Sequence, residues 1–163
     1  MNLVLRSVAM GIRYAAPHMK GRASTRDGTA SIINTASIAA LGAGFSPTAY
    51  AVAKAGVLHL SKMAAMDLAQ YGIRVNAICP GFINTNIFTA SLAVPEARKE
   101  EAKGVIAALS AQAQPVARGG QPVDIANMVA FLASAEAAFI TGTEMVVDGG
   151  ITVGPRHAWD PQS

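Results

Sequence analysis

The chain has 163 residues, of which 52% are apolar and 14% are charged, and its net charge is +3. One domain of this length can bury a sizeable core, and the Lys and Arg residues are too scattered to form a nucleic-acid patch. The single cysteine, Cys79, excludes an internal disulfide, and no Cys/His cluster has the spacing of a metal site. No apolar run reaches the ~18 residues of a membrane span, so we expect a soluble, cytoplasmic protein without a membrane partner.

Helical and extended patterns alternate along the chain. Helices are predicted over residues 1–20, 46–71 and 96–113 and from Pro122 onward, strands over 30–37, 73–79 and 143–147, and loops over 21–28 and 80–95. Pro17 is expected to end the first helix, Ser46-Pro47 to begin the second and Gly72 to end it. This order is typical of an α/β fold with a parallel sheet.

A few polar residues interrupt the apolar strands. Asn34 and Asn76 are expected to tie backbone segments together through their amides. Cys79, at the end of the second strand, is expected to be a buried and unreactive thiol. The residues 148–150, Asp-Gly-Gly, predict a turn at the end of the last strand.

The most informative spacing is that of Tyr50 and Lys54, with Ser37 thirteen residues upstream of the tyrosine. Positions i and i+4 share one helix face, so the phenol and the ammonium are expected to touch. A free phenol has a pKa of about 10, and a nearby cation lowers the pKa of a phenol, as proton transfer to an alcohol oxygen requires. A serine hydroxyl at a strand end can hold the same oxygen. Such a pair alone is common and usually structural, so its interpretation depends on the surrounding motifs.

Those surrounding motifs resemble the short-chain dehydrogenase/reductase family over nearly the whole chain. The matching segments are 32–37, Tyr50 with Lys54, 73–85, 118–126 and 140–150. The resemblance implies that Ser37 hydrogen-bonds the substrate oxygen, that Tyr50 transfers the proton, and that Lys54 contacts the nicotinamide ribose. The family's additional asparagine matches Val4 by counting, and Asn2 only if two residues are inserted.

The resemblance also implies a cofactor, NAD or NADP, in contact with the loop after the second strand. Besides Tyr50 and Lys54, the cofactor-binding residues it implies are Pro80, Gly81, Ile83 and Thr85. The backbone near Ile83 and the Thr85 hydroxyl would hold the carboxamide. A homo-oligomer, either a dimer or a tetramer, is implied as well, with small residues of the Tyr50 helix at the subunit contact: Ala53, Gly56, Ala64 and Ala65.

The Gly-rich turn that holds the cofactor pyrophosphate in this family has no counterpart here. The nearest candidate, residues 42–44, lacks the last glycine of the fingerprint and runs into Pro47. We therefore expect residues 1–163 to be the C-terminal part of a single doubly wound, Rossmann-like, dinucleotide-binding and catalytic domain. In such a domain the strand at 30–37 would lack a neighbour, which exposes it to association.

Three functions are compatible with these observations. The first is an NAD(P)-dependent oxidoreductase that acts on a secondary alcohol or ketone, with Tyr50 as acid and base. The second is a non-catalytic remnant that retains its helices for association, and the third is a small-molecule binding module. The apolar residues Phe88, Leu92 and Val94, in a segment expected to cover the substrate, favour a lipophilic or alicyclic substrate for the enzyme. The sequence selects neither the substrate, the reaction direction nor the cofactor.

Overall fold

The computed structural model describes residues 2–23, 30–85 and 95–154. A π-helical turn, Asn2–Arg6, leads into the first helix. The main elements are α1 (Ser7–Ala23), β1 (Ala30–Thr35), α2 (Thr48–Ala69), β2 (Ile73–Pro80), α3 (Lys99–Ala113), α4 (Pro122–Ala133) and β3 (Glu144–Val147). The three strands form a parallel sheet in the order β1-β2-β3, so the predicted α/β class is confirmed.

The central strand β2 is buried along nearly its whole length, and its side chains alternate between two apolar layers. On one face, Ile73 and Val75 pack against residues of α1 and α2, and Ala77 and Cys79 extend that layer toward the strand end. On the other face, Ile78 packs against Leu132 of α4. Helices therefore cover both faces of the sheet, as the continuous apolar pattern of β2 requires.

The first helix differs from its prediction, because α1 continues through Pro17 to Ala23. A proline inside a helix removes the hydrogen bond to the carbonyl four residues earlier. Pro17 and Arg13 are both exposed, so water can bind that carbonyl. The exposure of this turn, which is a tertiary property, explains why the helix tolerates the proline.

The predicted strand ending at Ser37 is also shorter in the structure, where β1 ends at Thr35. Ser37 instead caps a short 3-10 turn, Ile38–Ala40, and its Oγ accepts a hydrogen bond from the Ala39 N–H at 3.2 Å. At the next helix, Ser46 Oγ donates to Pro47 O, so Ser46 does not cap α2.

The small residues of α2 face the interior of this chain, which corrects their assignment to a subunit contact. Ala53 and Ala64 are 1% and 8% exposed, and Gly56 lies against Leu5. An ideal Cβ on Gly56 would stand 3.0 Å from Leu5 Cδ2, so the absence of a side chain allows this packing. The exposed large apolar side chains of α2 are Val52, Met63 and Met66.

Helix α4 begins as predicted at Pro122, and Asp124 closes a capping box with Gln121. Asp124 also accepts two hydrogen bonds from the Arg118 guanidinium, each 2.7 Å long. These bonds, together with the one from the Gln121 N–H, lower the pKa of Asp124 to about 2. Their geometry fixes the segment before α4, which lies beside the loop that follows β2.

Two further observations concern the described residues as a whole. No helix among them is both long enough and apolar enough to cross a bilayer. No group of three or more His, Cys, Asp and Glu side chains in the same ranges could hold a metal ion.

Candidate active site

Ser37, Tyr50 and Lys54 lie where β1 ends and α2 begins. Ser37 is two residues beyond the last residue of β1, Tyr50 is in the first turn of α2, and Lys54 is one turn further on. Lys54 Nζ donates a hydrogen bond of 2.7 Å to Thr35 O, on the strand that leads to Ser37. The same nitrogen lies 5.6 Å from the centroid of the Tyr50 ring. The lysine therefore connects the serine strand to the tyrosine helix, and its hydrogen bond goes to the strand.

Burial changes the electrostatics at this position. Loss of solvent lowers the pKa of Lys54 from its ordinary value, and the nearby Cys79 partly opposes that shift. Burial raises the pKa of Cys79 to about 11, although a hydrogen bond with the Ser37 backbone acts in the opposite direction. The prediction of a buried thiol is confirmed, since Cys79 is 0% exposed. Its position beside Ser37 was not predicted, because only the parallel register of β1 and β2 brings the two together.

The loop after β2 carries the remaining predicted residues, beginning with Pro80 and Gly81. The Gly81 N–H donates to Val147 O at 3.0 Å. An ideal Cβ on Gly81 would stand 2.7 Å from the Cα of Asp148, so only glycine allows this close approach of two backbones. The Pro-Gly pair thus has a packing role against the end of β3, independent of any ligand.

Ile83 forms an isolated parallel bridge with Gly120. In this bridge the Gly120 N–H donates to Phe82 O at 3.2 Å, and the Asn84 N–H donates to Gly120 O at 2.8 Å. In a parallel bridge the N–H and C=O of the middle residue point to the opposite side. The backbone groups of Ile83 therefore face away from Gly120, whereas its side chain is buried. Thr85 is exposed at the end of this segment.

The segment between α3 and α4 also lines this region, a contribution that the sequence did not predict. A cavity of about 140 Å³ lies between this segment, the loop after β2 and the end of β3; it is lined by Phe82, Ile83, Gln114, Val116, Arg118, Gly120, Asp124, Val147, Asp148 and Gly149. Gln114 is 2% exposed and donates to Arg118 O, although its position in a loop gave no signal of burial.

Two predicted features cannot be placed at the site. The apolar residues Phe88, Leu92 and Val94 lie outside the described residues. Asn2 belongs to the turn Asn2–Arg6, but its side chain is outside the described part of the chain. Val4, to which counting assigns the asparagine position, packs against the cluster that contains Ala36 and Cys79.

Comparison with known proteins finds a matching family model and similar relatives. The family model described as enoyl-(acyl carrier protein) reductase matches residues 1–152. Oxidoreductase UcpA of Escherichia coli is 42% identical over 106 residues, which cover 65% of this chain and 39% of UcpA. Cyclohexanol dehydrogenase of Acinetobacter sp. is 38% identical over 148 residues, which cover 91% of this chain and 51% of the relative. The chain thus spans about half or less of the length of these relatives.

Solved structures of dehydrogenases are similar to this chain as well. A short-chain type dehydrogenase/reductase from Mycobacterium ulcerans superposes with a TM-score of 0.74 at 33% identity, covering 94% of this chain and 52% of that one. A gluconate 5-dehydrogenase from Burkholderia cenocepacia, in complex with NADP and tartrate, superposes with a TM-score of 0.76 at 29% identity, covering 94% and 55%. With its parallel sheet and its matched segments, the chain belongs to the short-chain dehydrogenase/reductase family.

Proposed function

We propose that this protein is an oxidoreductase that transfers a hydride between NAD or NADP and the carbon of a secondary alcohol or ketone. The observation that carries the proposal is the half-buried Lys54 ammonium, 2.7 Å from Thr35 O and next to the Tyr50 ring. Keeping an ammonium charged in a half-buried position costs free energy, so a chemical use for the charge is the simplest account of its position. The relatives named as cyclohexanol dehydrogenase and gluconate 5-dehydrogenase support the same reaction class.

In this proposal each of the three side chains has a separate task. Ser37 Oγ accepts the Ala39 N–H, which leaves its own hydroxyl proton available for the substrate oxygen. Tyr50 gives a proton to that oxygen during reduction and removes it during oxidation. Lys54 places its positive charge beside the tyrosine, 5.6 Å from the centroid of the ring. General acid–base catalysis of this kind contributes about 10²–10⁴-fold to a rate.

The described residues fit a nicotinamide cofactor at two points. The Lys54 ammonium has three N–H donors, of which the described contacts use one, so it can also donate to ribose hydroxyls. The N–H and C=O of Ile83 point away from Gly120, and such a pair is complementary to a carboxamide. When bound, the cofactor supplies or accepts the hydride. The chain's own residues hold the substrate oxygen and move its proton.

We further propose that residues 1–163 form the C-terminal part of one dinucleotide-binding domain, within a cytoplasmic homo-oligomer. In support, β1 pairs on only one side within the described residues. Val52, Met63 and Met66 of α2 are 49%, 45% and 66% exposed, which is a suitable apolar surface for a subunit contact. A non-catalytic association module is the second candidate, because the chain has no Gly-rich phosphate turn.

The decisive experiment is a Tyr50→Phe substitution in the complete protein. Turnover of a secondary alcohol should fall by at least ~10²-fold because the proton donor is lost, whereas calorimetric binding of NAD or NADP should persist. Tyr14→Phe is the matched control, since Tyr14 is 65% exposed on α1 and should leave turnover unchanged. Near-normal turnover in Tyr50→Phe would contradict the proposed proton transfer. Absence of saturable cofactor binding in the unmodified complete protein would favour the association module.

A further inference from the structure

A buried chain of hydrogen bonds joins β1 to α2 close to the proposed acid–base residues. Asn34 Nδ2 donates to Ser61 Oγ at 2.9 Å, and Ser61 Oγ donates to Val57 O at 2.7 Å. Asn34 is 8% exposed and Ser61 is 1% exposed. The serine hydroxyl therefore both accepts and donates, which defines the position of its proton and the direction of the chain.

The surroundings of this chain make the polar contact specific. The buried residues of α2 nearest Ser61 are apolar, namely Leu58, Ala64 and Ala65. Apolar side chains attract one another without directionality, so they specify the register of a helix on a sheet less sharply than a hydrogen bond does. An amide buried among them costs about 1–3 kcal/mol unless it is paired. In the observed register the hydrogen bond from Asn34 to Ser61 avoids that cost.

This register also determines the position of Lys54. Thr35, whose carbonyl accepts the Lys54 ammonium, is the residue after Asn34. Ser61 lies seven residues after Lys54, which is two helical turns on the same face and about 10 Å along the axis. The end of β1 thus holds α2 at two points on one face. Two such points fix both the rotation and the translation of the helix, and Tyr50 lies one turn before the first of them.

We infer that Asn34 and Ser61 are positioning residues, whose hydrogen bond holds α2 in the register that brings Lys54 to Thr35 and directs Tyr50 toward Ser37. The inference rests on the proposed function for its kinetic consequences. The placement of the Lys54 ammonium by Asn34 and Ser61 does not depend on the proposed function. We therefore expect removal of the pair to displace Lys54, whereas removal of an equivalent bond elsewhere on β1 should not.

Four single substitutions in the complete protein test the inference. Asn34→Leu and Ser61→Ala remove the bond, and Ser61→Thr keeps the hydroxyl. Ser31→Ala is the matched control, because Ser31 Oγ donates to Leu132 O at 2.9 Å from the opposite face of the same strand. A displacement of about 1 Å can cost ~10²-fold in rate. We expect kcat to fall at least ~10-fold in the first two variants, to recover in Ser61→Thr, and to remain unchanged in Ser31→Ala.

A cofactor-free measurement separates positioning from general stability. In an NMR titration of ¹³C-labelled lysine, Asn34→Leu and Ser61→Ala should move the pKa of Lys54 upward, toward its ordinary value, because the displaced ammonium gains solvent. Ser31→Ala should leave that titration unchanged even though it weakens the fold. If Asn34→Leu does not fold, the comparison of Ser61→Ala with Ser61→Thr gives the answer.

The outcomes distinguish this inference from the proposed function. Equal kcat and an unchanged Lys54 titration in Ser61→Ala and Ser31→Ala would overturn the inference, even if Tyr50→Phe is inactive. Normal turnover in Tyr50→Phe, combined with a displaced Lys54 titration in Ser61→Ala, would overturn the proposed function and leave the positioning role established.

Discussion

The turn after β3 provides a quantitative test of how the site is supported. One carboxylate oxygen of Asp148 accepts the Gly150 N–H at 2.8 Å, and the other accepts the Thr152 N–H and hydroxyl at 3.0 and 2.6 Å. Asp148 is 8% exposed, and Gly81 packs directly against its backbone. The carboxylate therefore organises both its own turn and the proposed cofactor loop.

Asp148→Ala should be strongly destabilising. It leaves two backbone N–H groups without their acceptor, at a cost of about 1–3 kcal/mol each. Together the two groups would cost about 2–6 kcal/mol. Because water reaches the exposed Thr152, we expect a loss in the lower half of that range, about 2–4 kcal/mol. In a domain of this size each kcal/mol lowers Tm by roughly 2–4 °C. Asp148→Asn should lose less, because one amide oxygen can still accept the Gly150 N–H.

The pH dependence of this loss has a defined sign. Burial alone would raise the pKa of Asp148, but hydrogen bonds from the Thr152 hydroxyl and N–H and from the Gly150 N–H outweigh burial and lower it. A lowered pKa in the folded state means that the stabilisation is complete above the unfolded-state pKa, which is about 3.9. The difference between wild type and Asp148→Asn should therefore shrink as the pH falls below about 4.

Urea unfolding followed by circular dichroism, at pH 7 and at several values between pH 3 and 5, measures these free energies. Asp67→Ala is the control, because Asp67 is exposed on α2 and surface substitutions change stability by about 0.5 kcal/mol or less. Two results would contradict the proposed role of the Asp148 carboxylate: a loss of stability in Asp148→Ala no larger than in Asp67→Ala, or a difference between wild type and Asp148→Asn that grows on acidification.

Two other predictions concern groups near Ser37. Cys79 is 0% exposed and its pKa is raised to about 11. It should therefore react with a thiol reagent at pH 8 at least ~10²-fold more slowly in the folded protein than in urea-unfolded protein. Comparable rates in the two states would show that the strand end is open. Lys54→Met should lower the turnover of a secondary alcohol by the complete protein, because it removes the ammonium that lies beside the Tyr50 ring and is proposed to contact the ribose. Unchanged turnover would count against the proposed mechanism.

Much of the fold could be predicted because its determinants are local. The apolar runs that became β1, β2 and β3 are bounded by turn residues, and Pro122 with Asp124 forms a helix start that needs only neighbouring residues. The errors arose where distant parts of the chain decide. Pro17 stays within α1 because the turn around it is exposed, a property that only the packed helix has.

The candidate site divides in the same way. Ser37, Tyr50 and Lys54 could be proposed from spacing and family resemblance, since all three lie on adjacent elements. The contact between Cys79 and Ser37, and the hydrogen bond between Asn34 and Ser61, depend on strand register and on helix rotation. Neither property is encoded in a short motif, so these contacts became visible only in three dimensions.

The parallel sheet explains why residues that are far apart in this 163-residue chain come together at one edge of the sheet. Because β1, β2 and β3 run in the same direction, their carboxyl ends meet at that edge. The ends carry, in order, the Ser37 turn, the Gly81–Ile83 loop and the Asp148 turn. The Asp148 turn packs against the middle segment, while Asn34 and Ser61 hold α2 against the first. Since the two supports share no hydrogen-bond partner among the residues that the structure describes, one can lose its geometry while the other retains it.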